Sequence, residues 1–118
     1  MINSMFQNCE SLKEVRLPKF ANTVNLKVIN SLFQNCSSLE SIDISKIDTS
    51  NVIQLKEVFE GCSKLKQIDV SSFKTYKATT FENMFNGCSS LTSLDLSNFS
   101  TDIVTLLLLL VCLKIAII

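Results

Sequence analysis

The 118-residue sequence has no histidine and no tryptophan, one proline and two glycines. Without histidine, the usual general base near neutral pH and the commonest metal ligand are both missing. Ser-His and Cys-His nucleophile pairs go with it, and two glycines leave no glycine-rich phosphate loop. Net charge is missing as well: eleven basic residues cancel eleven acidic ones, and both signs are scattered. That excludes a basic footprint for nucleic acid or an anionic membrane surface. Five cysteines are an odd number, spread along the chain with no Cys-x-x-Cys pair. A disulfide scaffold is a poor reading and a zinc site a poorer one, so no cofactor is expected. The opening MINSMFQNCESLKEV lacks a basic stretch followed by an apolar core, and no secretory signal is read in it.

What is there is repetition. The frame Phe-x-x-Cys-x-x-Leu-x-x-apolar-x-apolar occurs four times, at Phe6, Phe33, Phe59 and Phe85. Its cysteines, Cys9, Cys36, Cys62 and Cys88, lie 27, 26 and 26 residues apart. Eleven residues past each cysteine stands another large apolar residue: Phe20, Ile47, Phe73 or Phe99. A match at so many positions makes this a repeat protein. Within LKQIDVSSF, Ile68 and Val70 point one way and Gln67, Asp69 and Ser71 the other, the alternation of a strand. TSNVIQLKEVFEGC then changes to helical spacing, with Val52, Leu55, Phe59 and Cys62 on one stripe. Thr23, Thr49, Thr75 and Thr101 stand where an N-cap would. Asn8, Asn35, Gly61 and Gly87 stand where a left-handed residue would end the helix.

The expected fold is therefore α/β: a leucine-rich-repeat-type solenoid of about four 26-residue repeats, with a parallel sheet on one face and short helices on the other. The repeats fall near 5–30, 31–56, 57–82 and 83–105 of a solenoid covering 1–105, followed by an apolar tail at 106–118. Each unit depends on its neighbours for burial. Neither end shows a polar capping repeat, and Met5-Phe6 aligns with Met84-Phe85, so the chain is expected to be a window of a longer array.

MFNGCSSLTSLDLSNFSTDIV, LFQNCSSLESIDISKIDTSNV and VFEGCSKLKQIDVSSF together resemble the repeat of BspA-like leucine-rich repeat surface proteins. The resemblance spans roughly residues 5 to 105. It implies a solenoid at the cell surface that adheres to host or extracellular proteins and has no enzymatic activity. The alternative, from a different class, is a cytoplasmic structural or protein-interaction scaffold with free thiols.

Two sets of polar residues invite a chemical reading. A cysteine ladder for redox or metal chemistry is weighed against a small apolar residue buried once per repeat, and the second is preferred because no base is at hand to activate a thiolate. Asp43, Asp69 and Asp95 share one outward strand position, with Arg16 there in the first copy. Carboxylates about 4.8 Å apart repel by about 1 kcal/mol in water. Ser45, Ser71 and Ser97, turn amides, or Arg16 beside Asp43 are expected to offset this. Calcium is a weaker reading, since it takes six to eight oxygens and no EF-hand-like loop is present. The candidate binding face for a protein ligand comprises Arg16, Ser41, Asp43, Ser45, Gln67, Asp69, Ser71, Ser93, Asp95 and Ser97. Asn35-Cys36-Ser37 and Asn98-Phe99-Ser100 match the glycosylation pattern, which matters only in a secretory pathway.

The segment 103–118 leaves membrane association open. A membrane span is short at 16 residues, about 24 Å against a core of about 30 Å, and Lys114 interrupts it. A greasy terminal helix needing a partner is the second reading. The third, preferred, is a reading frame that slipped inside an ordinary repeat, because Leu108, Leu109 and Leu110 replace the polar face while Val104, Leu107 and Val111 keep the inward stripe.

Overall fold

The computed structural model describes residues 2–17, 25–99 and the backbone of 116–117. Phe20, Thr23, Thr101, Pro18 and most of the apolar tail lie outside the described residues. Four two-residue strands carry the regular structure: β1 Glu14–Val15, β2 Ser41–Ile42, β3 Ser93–Leu94 and β4 Ala116–Ile117. β1 pairs with β2 in parallel, Glu14 opposite Ser41 and Val15 opposite Ile42. β3 pairs with β4 in parallel, Ser93 opposite Ala116 and Leu94 opposite Ile117. Between them the Ile68 segment keeps part of the ladder, with the Lys66 amide donating to the Glu40 carbonyl at 3.3 Å and the Glu40 amide to Lys13 at 3.2 Å.

The expected helices are not there: no α-helix occurs among the described residues. The segments read as helical are tight turns held from one rung to the next. Leu55, Glu57, Phe59 and Gly61 donate their amides to the carbonyls of Thr80, Glu82, Met84 and Asn86, at 2.7 to 3.1 Å. Ile29, Ser31, Phe33 and Asn35 do the same to Gln54, Lys56, Val58 and Glu60. The peptides between these bond locally instead, Gln34 to Ser31 and Cys36 to Phe33. A helix would have spent these amides within its own turn; here they join neighbouring rungs.

Backbone conformation explains the difference. Asn8, Asn35, Gly61 and Gly87 adopt the left-handed conformation expected of them, with φ of 61°, 59°, 76° and 78°. Four residues earlier, Ser4, Ser31, Glu57 and Asn83 are left-handed too, at 57°, 58°, 58° and 53°. A left-handed residue on each side bends the chain twice within five residues, so no helical turn propagates. The threonines differ as well. Thr49 caps nothing helical; its buried hydroxyl accepts from the Lys74 amide at 2.8 Å and faces the Lys74 carbonyl at 3.2 Å, tying two rungs.

The residues expected to point inward do so. Val52, Leu55, Phe59, Cys62, Leu65, Val70 and Phe73 are buried, as are their counterparts in the second rung and, apart from the half-buried Ala78, in the fourth. Phe6, Phe33, Phe59 and Phe85 form one stack, successive ring centroids 5.3, 5.7 and 5.6 Å apart and nearly coplanar in orientation. Each buried cysteine lies beneath this stack and donates its thiol to a phenylalanine carbonyl one rung back: Cys36 to Phe6, Cys62 to Phe33 and Cys88 to Phe59, at 3.1 to 3.2 Å. Period, aromatic stack and thiol bonds thus repeat in one parallel-stranded core. Among the described residues no helix is long and apolar enough to cross a membrane.

Candidate protein-binding face

The short strands and the turns after them bring the outward residues into columns. Arg16, Ser41, Asp43, Ser45, Gln67, Asp69, Ser71, Ser93, Asp95 and Ser97 are all exposed. All but Ser45 line a series of open depressions. One, of about 450 Å³, brings Arg16, Ser41 and Asp43 together with Glu14 and Lys46. Another, of about 480 Å³, joins Ser41, Gln67, Asp69, Ser93 and Asp95 around the half-buried Ile42 and Ile68. A small one holds Asp69, Ser71, Asp95 and Ser97 with Asn98. Ser45 lines none of these; its amide goes to Asp43. Glu14, Lys46 and Asn98 were not in the sequence-derived set. Glu14 was findable, since it shares the repeat position of Ser41, Gln67 and Ser93.

The aspartate column is held by serine, not by arginine. The Ser45, Ser71 and Ser97 amides each donate to Oδ1 of the aspartate two residues before, Asp43, Asp69 and Asp95, at 2.9 Å. Asp48 receives the Ser50 amide in the same way. These are Asx turns, in which the side chain stands in for a backbone acceptor. The serine hydroxyl and then the serine amide hold each of the three carboxyls below the usual carboxylate range. For Asp69 the charges of Asp43 and Asp95 on either side work against this. Arg16 does not reach Asp43; its Nε lies 3.5 Å from Glu14 Oε1, a pair exposed enough to be worth little. Among the described residues, no group of three or more His, Cys, Asp or Glu side chains converges as metal ligands do.

The three buried cysteines are poorly placed to act as nucleophiles. Cys9, Cys36, Cys62 and Cys88 are free thiols, the last three buried. Burial pushes Cys36 up to about 11 and Cys88 up to about 12, and it raises Cys62 further, with added repulsion from the neighbouring cysteines. A thiol so placed stays protonated and acts as a small hydrophobe with one donor.

A second polar row, unseen in the sequence, runs over the turns. Gln34 bridges rungs, accepting from Gln7 and donating to Glu60 Oε1 at 2.7 Å and Glu57 Oε2 at 3.3 Å. Asn35 donates to Asn8 Oδ1 at 3.0 Å, and Asn30 to Gln54 Oε1 at 2.9 Å. Lys56 pairs with Glu82 at 3.2 Å. These side chains are spent on one another, whereas on the strand face each exposed aspartate is held by the serine two residues after it.

No curated protein and no solved structure matches the chain. Its repeat-bearing length, residues 1–108, matches one family throughout, and the chain accordingly belongs to the DUF285 family, described as Mycoplasma protein of unknown function.

Proposed function

We propose that the chain is a non-enzymatic adhesion module: a leucine-rich-repeat-type solenoid, turn-lined where helices were expected, that binds a protein ligand through its strand face at the cell surface. The observation that carries this reading is the Asp43-Asp69-Asp95 column, each carboxylate fixed by its own serine amide at 2.9 Å. Preordered, exposed groups at regular spacing lose little entropy when a partner binds. The half-buried Ile42 and Ile68 beside them offer apolar area for the same contact. The BspA-like resemblance supplies the surface location and the class of ligand, an extracellular protein.

The test is binding of the purified protein to immobilised extracellular-matrix proteins, with Asp43→Lys, Asp69→Lys and Asp95→Lys combined. The variant is expected to keep its circular dichroism, to melt at a somewhat lower temperature because three Asx bonds are gone, and to lose binding at least tenfold while still folded. Retained binding overturns the strand face as the site. Antibody labelling of intact cells checks the location.

The four free cysteines among the described residues favour a second reading, an intracellular scaffold, since reduced thiols persist in a reducing compartment. Native protein with no glycan at Asn35 or Asn98 and no label on intact cells selects it.

A further inference from the structure

We propose that the third rung is a hinge: the strand face opens and closes at residues 67–69, while the turns behind them stay joined and act as its spine. This inference concerns the fold itself and stands whether or not the strand face binds a protein.

The strand side is two sheets rather than one. β1 pairs with β2 and β3 with β4, and neither pair includes the third rung. Residues 65–70, whose alternation reads as a strand, take part in no strand pairing. The Lys66 amide reaches the Glu40 carbonyl at 3.3 Å. Past that bond, among the described residues, no backbone hydrogen bond joins Gln67, Ile68 or Asp69 to β2 or β3. Side-chain ties to the fourth rung flank the gap instead, from the Ser90 hydroxyl to the Ser63 carbonyl and from the Asn98 side chain to the Ser71 carbonyl. The depression of about 480 Å³ lies over the same place, between Ser41 and Ser93.

On the turn side the bonding runs through the third rung unbroken. Ile29, Ser31, Phe33 and Asn35 donate into it, and Leu55, Glu57, Phe59 and Gly61 donate onward from it. Val28, Gln54 and Thr80 are bridged in parallel across the same three rungs. Phe33, Phe59 and Phe85 stack through them as well. A rung fixed along one side and nearly unbonded along the other opens on its unbonded side first. In a stack where each unit touches only its neighbours, nothing more distant restrains that motion.

Charge pushes the same way. Closing the gap to ladder spacing would set neighbouring carboxylates about 4.8 Å apart. Asp69 stands between Asp43 and Asp95, whose charges oppose its own. Each carboxylate keeps its serine amide as the face opens, so what changes is the distance between rungs. The gap strands no dry polar group either, since Gln67 and Asp69 are exposed and water reaches their peptides.

The test is NMR of the full chain, combining amide hydrogen exchange with amide-nitrogen relaxation dispersion, which reads the microsecond-to-millisecond motions of hinges. The amides of Gln67, Ile68 and Asp69 are expected to exchange at least about tenfold faster than those of Phe59 and Gly61. Dispersion is expected at those three residues and at Ser93 and Leu94, with none in the turns. Asp69→Asn keeps an oxygen for the Ser71 amide and removes one charge, so its dispersion amplitude should fall at least about twofold at low salt. Residues 67–69 as protected as the turns, unprotected amides with flat dispersion, dispersion of equal size in the turns, or an unchanged Asp69→Asn profile each overturn the proposal.

Discussion

Gly61 and Gly87 occupy the same turn position with nearly the same φ, but their surroundings differ. A Cβ at Gly61 would fall 2.4 Å from Asn35 Oδ1, the side chain that reaches back to Asn8. At Gly87 the nearest atoms lie 3.4 Å away, on the Gly61 backbone. The left-handed conformation alone costs an alanine about 1–2 kcal/mol. Gly87→Ala is expected to lose about that much in urea denaturation, and Gly61→Ala more, because it also displaces Asn35. The aspartates make a second prediction at this scale. Their folded-state pKa values lie below the unfolded value of about 3.9, so the Asx bonds add stability at every pH above it. That contribution is lost as pH falls through the folded values. NMR titration should therefore show Asp69 ionising below a model peptide, and Ser71→Ala should bring it part of the way back, since the amide remains. Melting temperature should hold steady near neutrality and drop on acidification below about pH 4.

The turn and the strand are the elements where sequence and structure part company. Far-ultraviolet circular dichroism should lack the paired minima of an α-helix, and a helical spectrum would falsify the turn assignment. The inward set was legible: Val52, Leu55, Phe59 and Cys62 are buried as their spacing requires. What spacing does not reveal is how the chain connects them, because a doubly bent turn returns the same positions to the core that a helix would. Half of the bend was legible in Asn8, Asn35, Gly61 and Gly87, residue types that accept a positive φ. The other half was not. Glu57 is left-handed at 58° although glutamate carries no such signal, and Ser31, whose hydroxyl bonds Glu57 Oε2 at 3.0 Å, gives only a weak one. On the strand face the aspartate column was legible from its period. Its serine partners were among the groups foreseen as offsetting the repulsion, but the choice between serine and Arg16 depended on reach, which a one-dimensional pattern does not encode.

At the scale of the molecule, stability is shared between neighbours. Every rung contact uses the same devices, an aromatic stack, a thiol-to-carbonyl bond and a row of amides, so a whole rung is removable while half a rung is not. Deleting residues 57–82 should leave Phe85 stacked on Phe33 and a cooperative transition at lower temperature by calorimetry. Deleting residues 57–69 alone should abolish the transition, because the strand register and the phenylalanine stack then fall out of step.

The one-way amides of the turns have a bearing on inheritance as well. Bonds from Phe59 to Met84 and from Phe33 to Val58 involve backbone atoms, so they depend on the phase of the chain and hardly on which side chains it carries. A tandem duplication in the gene that copies one full period inserts a rung that already fits both neighbours. Outward residues are then free to diverge from copy to copy without disturbing the amides beneath. Length and surface can change by separate genetic events, the first by duplication of a period and the second by point substitution.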